Sequence, residues 1–299
     1  MEIVTDKQIN KGLQKSLSPW AIARRKFTKN KLAMISLCFL VLVMIISFLA
    51  PFITTQDITK IYISQMSLSP SAEHFLGTDK SGRDVFTRLL FGGRVSLFLG
   101  LSCTLLVIVF GTLVGAIAGY FGGIVDSMLM RFTDFVLNFP FMVFVMVINA
   151  ILFGKVSGLW VLIGVISFLS WGGTARMVRS KVLAEKENEY VLSSVSIGCT
   201  SSKVIFKHLL PNILSTIIVQ ATITFAGMIV AEAGLSYLGF GVPQEIPSWG
   251  NMLSSANEPD VLQYKPWIWV PPALIITLCT LSINFIGEGL KDALNPKSS

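Results

Sequence analysis

Residues 32–53, LAMISLCFLVLVMIISFLAPFI, run for 22 positions without a charged side chain. As a helix rising 1.5 Å per residue, this stretch would be about 33 Å long, enough to cross a hydrocarbon core of about 30 Å. Within lipid each backbone N–H and C=O must find its partner inside the chain, so a run of this kind folds as a helix. Further apolar segments follow at 95–119, 135–153, 159–178, 213–234 and 268–287. The pattern predicts an all-α integral membrane protein with six transmembrane helices. Charged residues make up only 14% of the chain, against about 25% in soluble domains. The net charge of +7 could suggest nucleic acid. The charges lie between the apolar runs, however, so the expected surroundings are membrane lipid and no nucleic acid.

Charge placement also sets the expected topology. With the N-terminus inside, 17 of the 24 lysines and arginines fall in the inside segments 1–31, 120–134, 176–212 and the tail from Glu288. The positive-inside rule then favours an N-in, C-in chain. The expected organisation is a basic N-terminal arm (1–31), a first transmembrane helix (32–53) and an extracytoplasmic loop (54–94). A five-helix core (95–287) follows, with a cytoplasmic loop at 179–212 and an extracytoplasmic loop at 235–267, and then a cytoplasmic tail (288–299). The basic arm reads as a topological anchor, because the apolar run after it is too long for a signal peptide and lacks a small-residue cleavage site.

Residue chemistry excludes several enzyme classes. Four scattered cysteines form no CxxC, and His74 and His208 lie far apart, so neither a metal site nor a disulfide framework is expected. The chain has no GxxxxGK[ST] phosphate loop, HExxH or GxSxG. It is read as a non-enzyme that binds no cofactor of its own.

Within the spans, Gly111, Gly115 and Gly119 form a small-residue stripe at four-residue spacing, suited to close helix packing. The stripe could pack inside this chain or against a partner. Asn138 and Pro140 break the third run early, and the broken turn could face a cavity. Arg176 and Arg179 are expected to snorkel to the inner headgroups. Glu232 is the only acidic residue inside an apolar run, which makes it either a pathway or interface group or a hydrogen-bonded structural one. Trp249 and Trp267 fit an interfacial aromatic belt.

The longest charged stretch between two spans is Glu185–Pro211, EKENEYVLSSVSIGCTSSKVIFKHLLP. Glu189, Tyr190, Leu192, Val195 and Ser196 suit one short helix and Gly198 a break. Ser201 or Ser202 could cap a second helix, which carries Lys203, Ile205, Phe206 and His208 and ends at Pro211. Gly198, with Leu210–Pro211 thirteen residues on, resembles the EAA loop of ABC-importer permeases, although Leu192-Ser193-Ser194 stands where that family often has Glu-Ala-Ala.

Three further blocks extend the resemblance. HFLGTDKSGRDVFTRLLFGGRVSL (74–97) is similar to HPLGTDxxGRDxxSRLxxGxRxSL, a segment of the second permease in peptide and nickel importers. AEAGLSYLGFGVP (231–243) with SWGNML (248–253) and LSINFIGEGLKDALNPK (281–297) match two more segments in the same order. The chain thus resembles the C-type permease subunits of the oligopeptide/dipeptide/nickel ABC-importer family.

That resemblance implies an ABC type I importer permease with a cytoplasmic coupling-helix loop. Its implied partners are a homologous second permease in a heterodimer, two ATP-binding subunits that hold ATP and magnesium, and an extracytoplasmic solute-binding protein. The implied location is the bacterial cell membrane. The loop formed by Glu189, Tyr190, Val195, Gly198, Ser201, Lys203, Ile205, Phe206, His208 and Pro211 would dock into an ATPase, with Val195, Ile205 and Phe206 filling its groove. The motif of Gly77, Thr78, Asp79, Gly82, Arg83 and Asp84 would pair Asp79 and Asp84 with Lys80 and Arg83, as a self-satisfied surface fold or a binding-protein dock. The implied cargo is an oligopeptide or dipeptide, with nickel or a metal–chelator complex as the alternative. From another class, an ion-coupled secondary transporter is the rival, although it would normally need more spans and a midplane ion site.

Overall fold

The computed structural model describes residues 19–152 and 158–294, so the expectations for residues 1–18, the 153–157 turn and the tail beyond Leu294 lie outside the described residues. Helices α1 (Pro19–Lys29) and α2 (Lys31–Phe48) are separated by Asn30, whose side-chain oxygen accepts from the Ala33 N–H at 3.1 Å and caps α2. Helix α3 (Val85–Phe121) follows a long segment whose helical parts are the short turns Ala50–Ile53 and Ile63–Gln65, and α4 (Gly123–Leu137) and α5 (Phe141–Leu152) follow α3. Then come α6 (Gly158–Glu185), the short α7 (Glu189–Ser196) and the long α8 (Ser201–Tyr237). The last elements are α9 (Trp249–Leu253), α10 (Pro259–Tyr264) and α11 (Pro266–Leu294).

Among the described residues five helices, α2, α3, α6, α8 and α11, are long and apolar enough to cross a membrane. The third expected span, 135–153, is not a straight helix. Helices α4 and α5 meet at 77°. Pro140 has no N–H and disfavours a helical Phe139, while the Asn138 side chain donates to the Asp134 carbonyl at 2.8 Å and covers an open helix end. Counted as one bent unit, the pair makes six spans. Segment 120–134 is therefore mostly helix, and the expected tail is helical as far as Leu294.

The glycine stripe settles the helix order around α3. A Cβ on Gly111 would lie 2.7 Å from Thr174, one on Gly115 2.4 Å from the Ala175 carbonyl oxygen, and one on Gly119 2.9 Å from the Arg179 carbonyl oxygen. The stripe therefore packs within this chain, against α6. Leu99, Leu162, Ile166 and Trp171 form the apolar core on that side, and Leu97, Ile229, Trp249 and Ile283 form a second core among α3, α8, α9 and α11.

Arg176 and Arg179 do not reach for headgroups alone. Arg179 grips Asp126 with Nε at 2.5 Å and Nη2 at 2.6 Å, and Arg176 meets Asp134 at 2.5 Å. Both acids lie on α4, so these pairs hold α4 across the end of α6. Trp249 is not an interfacial aromatic: it is 1% exposed and donates Nε1–H to the Leu89 carbonyl at 3.0 Å.

Candidate functional site

The loop between α6 and α8 folds as a helical hairpin over a buried base. Val191, Val204, Ile205 and Leu209 pack on Val178, Val182 and Ile213. The turn between the two helices is a full Schellman closure: the Gly198 N–H donates to the Val195 carbonyl at 2.9 Å and the Cys199 N–H to the Ser194 carbonyl at 3.1 Å. Gly198 sits at φ +82, and a Cβ there would meet nothing within 4 Å. Glycine is thus required by the left-handed backbone and not by lack of space.

The second helix differs from expectation at both ends. Its N-cap is Thr200, and neither Ser201 nor Ser202 caps it. Nor does Pro211 end it. Residues Ile205–Leu209 form one widened π turn, and Pro211 stands in the first turn of the α-helical stretch that continues to Tyr237. A proline lacks the N–H that an interior helical position needs, and the widened turn just before it absorbs that mismatch. The hairpin and the α8 span therefore form one continuous rod.

Tyr190 ties the hairpin together. Its hydroxyl donates to Glu185 at 2.8 Å and accepts from the Asn212 side chain at 2.7 Å, while Asn188 also donates to Glu185 at 2.7 Å. Partial burial and the Glu185 carboxylate raise the Tyr190 hydroxyl above its ordinary pKa, which keeps it a donor. Glu189 opens α7, where its charge faces the positive end of the helix. Lys203 is exposed, and His208 is half-buried with its carbonyl accepting from Asn212 at 3.0 Å.

The apolar residues of the hairpin divide by burial. Ile205, expected to face a partner, is 6% exposed and belongs to the chain's own core. It alternates with Phe206, which is 58% exposed; Leu192, Val195 and Ile197 are 55%, 48% and 81% exposed. All four are apolar side chains left exposed on a polar hairpin. Leu192 and Ile197 were legible in the helical phase of the loop once the buried face was known.

At the opposite end of α3, residues 54–84 fold on themselves. Asp84 caps α3, accepting from the Thr87 N–H at 2.7 Å, and also accepts from buried His74 Nδ1 at 2.9 Å. Asp79 receives the Ser81 and Arg83 N–H groups at 2.8 and 3.0 Å and pairs with the Arg83 guanidinium at 2.8 Å. Lys80 pairs with Glu258. Of the expected ion pairs, Asp79–Arg83 forms, whereas Asp84 pairs with His74 and Lys80 pairs outside the motif. Thr78 donates to the Gln65 carbonyl and accepts from the Leu68 N–H at 2.8 Å. Gly77 and Gly82 have φ +71 and +74, and a Cβ on Gly82 would lie 2.0 Å from the Tyr62 carbonyl oxygen. Buried Arg88 donates to the Ile58 and Gln244 carbonyls at 3.0 and 3.1 Å, which joins the two long loops of this end.

Glu232 lies in this same half and is 1% exposed. Its Oε1 accepts from Ser236 and Ser248, both at 2.8 Å, and its Oε2 from Ser96 at 3.0 Å. Ser96 in turn accepts from the Trp249 N–H at 3.1 Å. The carboxylate fastens α3, α8 and the start of α9 to one another, which favours the structural of its two expected roles. Asn138 and Pro140 are exposed at the α4–α5 bend. Among the described residues no group of three or more His, Cys, Asp or Glu could hold a metal ion.

Residues 111–299 match the family model of the binding-protein-dependent transport system inner membrane component. Residues 18–70 match the N-terminal TM domain of oligopeptide transport permease C. The oligopeptide transport system permease protein OppC of Lactococcus lactis subsp. cremoris is 40% identical over 92% of this chain and 94% of its own length. The dipeptide transport system permease protein DppC of Alkalihalophilus pseudofirmus is 38% identical over 94% and 91%. OppC of Bacillus subtilis is 38% identical over 95% and 92%. The chain belongs to the family of binding-protein-dependent inner membrane transport components and is a multi-pass bacterial membrane protein. Membership of a binding-protein-dependent family removes the ion-coupled secondary carrier from consideration.

Proposed function

We propose that this permease forms, with a homologous second permease, the membrane pathway of an ATP-driven importer that takes oligopeptides or dipeptides from a solute-binding protein. The cargo reading is supported by relatives that are named oligopeptide and dipeptide permeases. The N-terminus and the α7–α8 hairpin lie in the cytoplasm, as the excess of lysine and arginine in those segments favours. Two ATP-binding subunits, with ATP and magnesium in their own sites, dock on the hairpin. This chain supplies no nucleotide site and acts as the moving wall.

The observation that carries this reading is the rigid join between hairpin and span. Leu192, Val195, Ile197 and Phe206 offer an apolar docking surface, and at about 25 cal/mol per Å² their burial supplies several kcal/mol. Behind it the base is packed, and α8 runs without interruption from Ser201 to Tyr237. A displacement of the hairpin therefore moves the whole of α8, and Glu232 carries the movement to α3 through Ser96 and to the start of α9 through Ser248. That rigid-body coupling suits a pathway that alternates between two openings.

The test is to co-express the chain with the open reading frames beside its gene and purify it through a tag on this subunit. The expected result is a complex with a second permease and ATPases whose hydrolysis rises when peptide-loaded binding protein is added. A chain that purifies alone and stable contradicts the assignment.

A further inference from the structure

We infer that Arg94 recognises the terminal carboxylate of the transported peptide, a proposal that rests on the peptide reading above. Arg94 lies three turns into α3, in the wall of a hollow of about 300 Å³ lined also by Phe48, Phe91, Phe98 and Leu159. That volume is at the lower end for small-ligand sites. The Arg94 guanidinium reaches no carboxylate or carbonyl among the described residues; its one charge-sensitive contact is the Phe91 ring at 5.8 Å. The nearby arginines of the same end are all satisfied: Arg83 by Asp79, and Arg88 by two carbonyls. A half-buried cation among aromatic and aliphatic walls calls for an anion with an apolar body.

The position of the hollow argues for cargo. Residues Phe98, Leu101, Leu105, Val109 and Leu113 are exposed and continue from it along α3 at helical spacing. From Phe91 to Leu113 the stripe is about 33 Å long, the thickness of the hydrocarbon core. At its other end Val109 and Leu113 join a second apolar groove with Phe206 and Pro211 of the hairpin. One face of α3 thus links the loop-rich end of the molecule to the coupling hairpin. A pathway for peptides of varied sequence can rely only on what all peptides share, the backbone and its two charged ends. A single guanidinium in apolar walls fits the carboxylate end with the side chain next to it.

The experiment uses the complete complex in proteoliposomes, driven by its binding protein loaded with either an alanine–phenylalanine tripeptide or the same tripeptide as its C-terminal amide. Arg94→Gln is expected to lower uptake of the free acid about tenfold, the effect of losing one hydrogen-bonded charge contact, with amide uptake unchanged. Arg94→Lys should retain part of the free-acid preference. Because the binding protein is the same throughout, its own selectivity cancels from the comparison between variants. An equal fall for both peptides overturns the proposal and assigns Arg94 to the second permease or to lipid, and no change for either overturns it too. Wild-type complex that takes up neither peptide while remaining assembled contradicts the peptide reading itself.

Discussion

The Asn212 side chain donates to the Tyr190 hydroxyl at 2.7 Å across 22 residues, joining the first hairpin helix to the start of the membrane helix that follows the second. Because the same hydroxyl donates to Glu185 at the end of α6, both spans that flank the hairpin meet at one oxygen. Tyr190→Phe removes both bonds and keeps the ring. It should cost about 1 kcal/mol of local stability and lower peptide uptake per ATP hydrolysed several-fold, while ATPase subunits stay bound. Uptake and hydrolysis measured in one proteoliposome preparation check this; an unchanged ratio shows that the bridge carries no motion.

Gly198 gives a graded test, since its surroundings are open and only its left-handed backbone resists substitution. Gly198→Ala should cost about 1 kcal/mol, and Gly198→Asn less, because asparagine tolerates that conformation. Gly198→Val should uncouple hydrolysis from uptake while the spans stay inserted. Normal transport by the valine variant would mean that the turn is not needed for coupling.

Where α3 packs on α6, Gly115→Leu places a side chain against the Ala175 carbonyl. The loss should appear in this chain alone, as a lower yield and a thermal unfolding temperature reduced in detergent, by the 1–3 kcal/mol typical of overpacking or more. A variant that is stable alone but fails to bind the second permease would instead place the stripe at the subunit interface.

Glu232→Ala removes the acceptor of three buried hydroxyls and should destabilise the chain by about 1–3 kcal/mol or more. Glu232→Gln keeps an accepting oxygen and should be milder. Thermal unfolding of the three proteins gives the order; equal stability of all three would show that the serines find other acceptors.

Much of this architecture was legible in the chain. Uncharged runs of membrane length fix the spans, and Gly198 between two short amphipathic stretches fixes the hairpin turn. What was not legible depends on phase and on distance. Ile205 and Phe206 are equally apolar neighbours, and only the packing of Val191 and Val204 decides that Ile205 points inward. Pro211 reads locally as a stop, but the π turn before it lets the helix continue. Arg179 and Asp126 lie 53 residues apart, and nothing near either one names the other. Trp249 resembles a belt aromatic until Gly92, Gly93 and Ser96 are seen to leave room for it beside α3.

The central claim, that the exposed apolar surface of the hairpin is the ATPase dock, is tested most directly by Ile197→Asp combined with Phe206→Asp. Both side chains are exposed, so the chain should fold and insert normally. Purified through a tag on this chain, the double variant should bring down the second permease at wild-type stoichiometry and lose the ATPases. ATPases retained at wild-type stoichiometry would contradict the account.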